Sequence, residues 1–247
     1  MPFIDPEDGY LTVLNLFKTD APERVDRLVR EMSSIVDKAA FPGWISSTVH
    51  RGQDKMGTAN FIQWRGKQDL ESRYQGDEFK HRTVPVFHEI TTYVRLMQTE
   101  VAASQRHPSL GGVTELSPDR DDYTVIEVLG VEPARQGELI ETLRTSQDWL
   151  VDVPGYRSQT VLRGIRARGI GEGSGDLQAA GQDNDFVVVY SQWADKASFD
   201  RHHRSVPGEF EIARRRNQQR RKALTTSVEW NTYRVVHSRS AEQPVAS

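Results

Sequence analysis

The chain has 247 residues, 27% of them charged, with a formal net charge of -3. That length can bury one large core or two small ones, and without a basic excess nucleic acid is not expected as a partner. The chain has no cysteine, which excludes disulfides, thiolate metal sites, iron–sulfur clusters and cysteine nucleophiles.

The opening "MPFIDPEDGY" has neither the basic n-region nor the apolar h-region of a signal peptide. No apolar run approaches the roughly 20 residues of a membrane helix. A cytoplasmic location without membrane contact is the resulting expectation. "YLTVLNLF" (10–17) reads as an apolar strand, and Asp20, Pro22 and Glu23 mark a helix start. Val25, Leu28, Val29, Met32, Ile35 and Val36 then recur at helical spacing, one stripe facing a core. Pro42-Gly43 ends that helix, a strand begins near Trp44, "GQDKMGTA" turns, and "NFIQW" (60–64) returns as the next strand. Residues 67–90 read as a helical region interrupted near Pro85, and a last strand covers 91–101. Residues 104–122, rich in Pro, Gly and polar side chains, read as a linker.

From Tyr123 the same order begins again. "FPGWISSTVHRG" (41–52) and "VPGYRSQTVLRG" (153–164) agree at seven of twelve positions. Thr12-Val13 corresponds to Thr124-Val125, Gln63-Trp64 to Gln192-Trp193, Glu78-Phe79 to Glu209-Phe210, and "TTYV" at 91 to "TTSV" at 225. Matches in register along the whole chain indicate a duplication. The expected domains are 1–103, a linker at 104–122, 123–238, and a disordered tail at 239–247. Each copy reads β-α-β-β-α-β, the ferredoxin-like plan, in an α+β fold. Such a sheet leaves one face bare, at roughly 25 cal/mol for each Å² of apolar surface in water. Two tandem units packed sheet to sheet, as a fused dimeric α/β-barrel with helices outside, would cover both bare faces.

The copies differ at two instructive places. His50 stands where the second copy has Leu162, and Asn60 where it has Val189. A hairpin centred on Lys55 would set His50 opposite Asn60 and Ser46 opposite Trp64, so that His50, Asn60 and Trp64 share one face. Either the two polar groups hydrogen-bond and stiffen the core, or they line a cavity whose equivalent in the second copy is filled.

Other features carry less. His81 and His88 are seven residues apart, about 10.5 Å of helical rise, and His202 and His203 are adjacent, so neither pair suits one metal ion. No metal is expected. His81, Arg82 and His88 could rim a pocket from the helix side or simply face solvent. The glycine-rich 168–184 fits no phosphate-loop spacing and reads as a hairpin loop, and the cations of 213–223 spread around a solvated helix.

"FIQWRGKQDLESRYQGDEF" and "VVVYSQWADKASFDRHHRSVPGEF" resemble the antibiotic biosynthesis monooxygenase family, as two fused copies of a domain that usually pairs as a dimer. Its anthrone oxygenases carry an Asn four residues before the Trp, which Asn60 and Trp64 match and the second copy lacks. Fused members also resemble the angucycline ring-opening oxygenases of the jadomycin, gilvocarcin and kinamycin type. The fused architecture makes oxidative C–C ring opening of an angucycline-type quinone or hydroquinone the leading expectation, with anthrone oxidation to a quinone as the alternative. The resemblance implies a polycyclic aromatic polyketide as substrate and O₂ as co-substrate. Reduced flavin, with a flavin reductase as partner, is implied for ring opening, and no cofactor for anthrone oxidation. On this reading His50 is the base, while Asn60 and the Trp64 N–H hold the phenolate or peroxide oxygen. Trp44, Tyr74 and Phe87 form walls, and Arg82 is the candidate basic partner. The chain would act as a monomer closing its own barrel, or as a homodimer. A non-catalytic module binding an aromatic ligand is the alternative of another class.

Overall fold

Alternation along each strand divides its side chains between an interior shared by both copies and an exterior covered by helices. The first copy supplies β1 (Leu11–Lys18), β2 (Trp44–Gly52), β3 (Gly57–Trp64) and β4 (Tyr93–Arg106), with α1 (Pro22–Lys38), α2 (Lys67–Gln75) and α3 (Val84–Ile90). The second supplies β5 (Tyr123–Val131), β6 (Tyr156–Ile170), β7 (Phe186–Trp193) and β8 (Thr225–Ser240), with α4 (Gln136–Gln147), α5 (Lys196–Arg204) and α6 (Glu211–Leu224). The structure, a computed structural model, describes residues 1–170, 177–204 and 211–241. Both copies thus have the β-α-β-β-α-β order read from the sequence.

Within the first copy the strand order is β2-β3-β1-β4, and within the second β6-β7-β5-β8, antiparallel throughout. The last strand of each copy then pairs with the second strand of the other, β4 with β6 and β8 with β2. The ring of eight strands closes, which removes the exposed edges of both sheets. Leu14, Leu16, Phe61, Met97, Ile126 and Leu162 point into the barrel. Val13 and Phe17 point outward beneath Leu28, Met32 and Val36 of α1, and Val187 and Val189 lie beneath Leu139 and Leu143 of α4. No helix among the described residues is long and apolar enough to cross a membrane.

Several boundaries differ from the sequence reading. β4 runs to Arg106 because its far half, Ala103–Arg106, pairs with Val161–Ser158 of the other copy. The linker is consequently shorter than 104–122, and it is anchored. Thr114–Glu115 pair with Phe3–Ile4, Leu116 is fully buried, and Asp122 accepts from Arg120 Nε (2.8 Å) and Gln192 Nε2 (3.1 Å) and ion-pairs with Arg157. The tail expected from 239 is strand as far as Ser240, which lies opposite Ser46, and Ala241 N donates to Ile45 O at 2.7 Å; residues 242–247 lie outside the described residues. The glycine-rich insertion extends β6 to Ile170, paired with Leu177, and residues 171–176 also lie outside them. The helical region of 67–90 breaks at Gly76, ahead of Pro85. Pro85 has no N–H for the carbonyl of His81, and the turn Phe79–Thr83 widens, with Val84 N bonding to Phe79 O.

Candidate active site

The β2–β3 hairpin decides which polar side chains meet. Its turn is the four residues Gln53–Met56, so the centre falls between Asp54 and Lys55. Asn231 of β8 holds the turn, accepting from Lys55 N (2.9 Å) and donating to Lys55 O (3.0 Å). Gly57 follows at φ +148°, and a Cβ there would meet the Phe17 carbonyl oxygen at 2.1 Å. His50 therefore pairs with Ala59, and Asn60 with Val49. The expected opposition of His50 and Asn60 is corrected by one residue, and a slip of one exchanges the faces of a strand.

His50 consequently points into the barrel, away from Asn60 and Trp64. It is 0% exposed, with its ring set edge-on to Tyr190 and Tyr233. Its Nδ1–H donates to Thr48 O (3.1 Å), which leaves Nε2 to accept from the Tyr190 hydroxyl (2.8 Å). Burial lowers its pKa from 6.5 to about 4. Both nitrogens are committed and the ring stays neutral, so the role of base expected for it has no geometric support.

Outside the barrel, Asn15 of β1 lies directly across from Asn60 of β3, with Val13 across from Ile62. Trp64 ends that row, opposite Trp44 after a bulge at Ile45. These side chains floor a cavity of about 70 Å³, roofed by α1 and the α2–α3 region. Asn15 Oδ1, Asn60 Oδ1 and Trp64 Nε1 are all buried without a hydrogen-bond partner. Trp44 Nε1, by contrast, donates to Ser47 Oγ at 2.9 Å. Three orphaned polar atoms on one apolar cavity cost stability, about 1–3 kcal/mol each, and mark where a ligand's polar atoms would fit.

Arg73 of α2 brings the cavity's charge. Its guanidinium lies 4.0 Å from the Phe41 ring centre and 5.4 Å from that of Phe79, and it donates to Glu78 and Thr83, each at 3.3 Å. Burial lowers its pKa, but an arginine keeps its charge. Tyr74 is buried beside it, and desolvation raises its pKa, so its hydroxyl stays neutral. Phe87 and Phe41, both half-buried, form the outer walls. No carboxylate or imidazole is among the lining residues.

Of the residues expected here, Asn60, Trp64, Trp44, Tyr74 and Phe87 line the cavity. His50 lies in the barrel, and His81, Arg82 and His88 are exposed on the outer side of the helical segment, His81 at 76%. The turn that carries them directs Thr83 and Phe87 inward instead. Arg73 holds the basic position that Arg82 was expected to fill. Asn15, Phe41 and Phe79 were also missed, and Asn15 had the same signal as Asn60, an amide on the apolar face of a strand. The second copy is not simply filled. Val189 packs into the α4 core at the Asn60 position, yet a separate cavity opens beside Trp193. Among the described residues, no group of three or more His, Asp or Glu side chains could hold a metal ion.

The family described as antibiotic biosynthesis monooxygenase matches residues 122–214, in the second copy. A crystal structure of an anthrone oxidase-like protein is 47% identical, with 100% of this chain and 99% of that one covered and a TM-score of 0.87. Putative monooxygenases from Fusobacterium nucleatum (9% identity, 94% and 95% covered, TM-score 0.58) and Lactobacillus acidophilus (9%, 94% and 99%, 0.52) share the fold. No curated protein sequence matches the chain.

Proposed function

The chain belongs to the antibiotic biosynthesis monooxygenase family and is an oxygenase, and we propose that its first cavity oxidises an anthrone-type polycyclic phenol with O₂. The observation that carries this reading is the set of three unpartnered polar atoms, two amide acceptors and one indole donor, facing one aromatic cavity beside one half-buried cation. Phenolic hydroxyls of a flat substrate can donate to Asn15 Oδ1 and Asn60 Oδ1, and its carbonyl oxygen can accept from Trp64 Nε1–H. The full-length relative named anthrone oxidase-like supports the substrate class.

Anthrone oxidation needs little beyond this. The methylene carbon opposite the carbonyl loses two hydrogens and gains one oxygen atom from O₂, and the second oxygen atom leaves in water. A proton leaves the methylene group first, and its negative charge spreads onto the carbonyl oxygen. Trp64 N–H and the field of Arg73 favour that anion within a medium of low dielectric. With no carboxylate or imidazole on the lining, the proton passes to water, and the protein acts by making the substrate more acidic. The anion then gives one electron to O₂, the radical pair combines to a peroxide on that carbon, and loss of water gives the quinone. The apolar walls keep the radical pair together.

At about 70 Å³ the cavity takes only part of a tricyclic ring system until Phe41 and Phe87 swing outward. Ring opening of an angucycline with reduced flavin would place two such ring systems there. The lining, with a single cation among aromatic and aliphatic walls, supports the smaller demand of anthrone oxidation. The fused architecture itself does not favour ring opening, since the anthrone oxidase-like relative matches both copies. The test is oxygen uptake with 1,8-dihydroxyanthrone and with angucycline hydroquinones, each with and without reduced flavin and a flavin reductase. Flavin-independent uptake of one O₂ per quinone formed is expected with the anthrone. Uptake confined to the angucycline with flavin would overturn the reading in favour of ring opening. Binding of both substrates without uptake would overturn it in favour of a non-catalytic module.

A further inference from the structure

The cavity of the second copy measures about 160 Å³ and lies where the duplication places the counterpart of the first. Trp193 stands for Trp64, Ser191 for Ile62, Gln159 for Ser47 and Glu127 for Asn15. Strand register agrees, for Glu127 opposes Val189 as Asn15 opposes Asn60. The chemistry of the lining is nevertheless changed, with charged and amide groups where the first cavity is mostly aromatic and aliphatic.

Glu127 is occupied by Arg221 of α6 at 2.8 Å. Arg214 donates to the His202 carbonyl at 3.0 Å and lies 3.4 Å from both ring nitrogens of His202, and no carboxylate among the described residues pairs with it. Among the described lining residues, two guanidiniums stand against one carboxylate. One wall is aromatic, with Trp193 and His202 5.3 Å apart at 30°. Gln159 Oε1 is buried without a hydrogen-bond partner, an acceptor awaiting a donor. The walls are also tied together, because Asn217 Nδ2 of α6 donates to Thr142 O of α4 at 2.8 Å.

We propose that this cavity is a second ligand site, for a single-ring aromatic acid that also carries a hydroxyl group. The carboxylate pairs with Arg214, the ring lies along Trp193, and the hydroxyl donates to Gln159 Oε1. The size agrees, since an apolar cavity of about 150 Å³ holds benzene, and the tied walls suit one substituted ring without rearrangement. The site stands apart from the reaction in the first cavity, and its occupancy does not depend on what that reaction is.

The test is calorimetric titration of the full chain with 4-hydroxybenzoate and with benzoate. One-to-one binding is expected, tighter for 4-hydroxybenzoate, and weakened about ten- to hundredfold in Arg214→Gln through loss of a charge-assisted hydrogen bond. Ser191→Ile installs the first copy's own residue and narrows the cavity, so it provides the same reading if Arg214→Gln does not fold. Asn60→Val, in the other cavity, is expected to leave binding unchanged. No binding heat at millimolar ligand would overturn the proposal. So would undiminished binding in Ser191→Ile, or binding abolished by Asn60→Val, which would place the ligand in the first cavity.

Discussion

Replacing Asn60 by valine, the residue its counterpart already has, should stabilise the protein while slowing the reaction. The amide oxygen of Asn60 is buried without a partner, so its removal recovers about 1–3 kcal/mol. Valine adds up to ~1 kcal/mol of strand preference and apolar contact with Val49 across the ladder. A net gain of about 2 kcal/mol corresponds to a rise in Tm of roughly 4–8 °C for a chain of this size. Scanning calorimetry gives the first quantity and oxygen uptake with 1,8-dihydroxyanthrone the second. The expected pair is a higher Tm with kcat/KM reduced about ten- to a hundredfold, as for loss of a hydrogen bond that positions the substrate's hydroxyl. A lower Tm with kcat/KM intact would mean that the amide serves the fold, and the reasoning about orphaned atoms would fail.

Three further outcomes can be checked. The folded-state pKa of His50 lies below its unfolded value, so the unfolded chain takes up the proton first; stability is complete above about pH 6.5 and falls by about 3 kcal/mol as pH drops to 4. His50→Leu with Tyr190→Phe, which removes both partners of that hydrogen bond, should flatten the dependence of Tm on pH over this range and leave turnover within about twofold, since neither side chain lines the first cavity. Arg73→Gln should cut kcat/KM about ten- to a hundredfold while Arg82→Gln, on the exposed side, leaves it unchanged; equal losses in steady-state assays would sink the distinction. Gly57→Ala should destabilise by about 1–3 kcal/mol in urea titration, because its Cβ meets a backbone oxygen of the neighbouring strand.

The duplication and the strand order were legible because repeats and alternation are local properties of the chain. The amide and the indole of "NFIQW" could be read from alternation to share one face, and those two side chains face one cavity. The pairing of His50 was not legible. Its register depends on a four-residue turn held by Asn231, about 180 residues away in sequence, and on a close approach of Gly57 to Phe17. Arg73 escaped notice because a charged residue on a polar helix normally faces water, and only packing against Phe41 and Phe79 shows that this one does not. The second cavity was hidden because Val189, the residue that stands for Asn60, packs into the α4 core and is not among the cavity's lining residues.

The two seams that close the barrel, β4 with β6 and β8 with β2, are the contacts through which separate domains of this kind would have to dimerise. Here residues 107–122 tether the halves, so their association is intramolecular, at an effective concentration in the millimolar range for a short tether. Asn231, which fixes the turn ahead of Asn60, therefore arrives with every molecule. A two-chain version with the same seams would lose its turn geometry on dilution below the dissociation constant. The fused chain keeps its cavity in register when only a few copies are present in a cell.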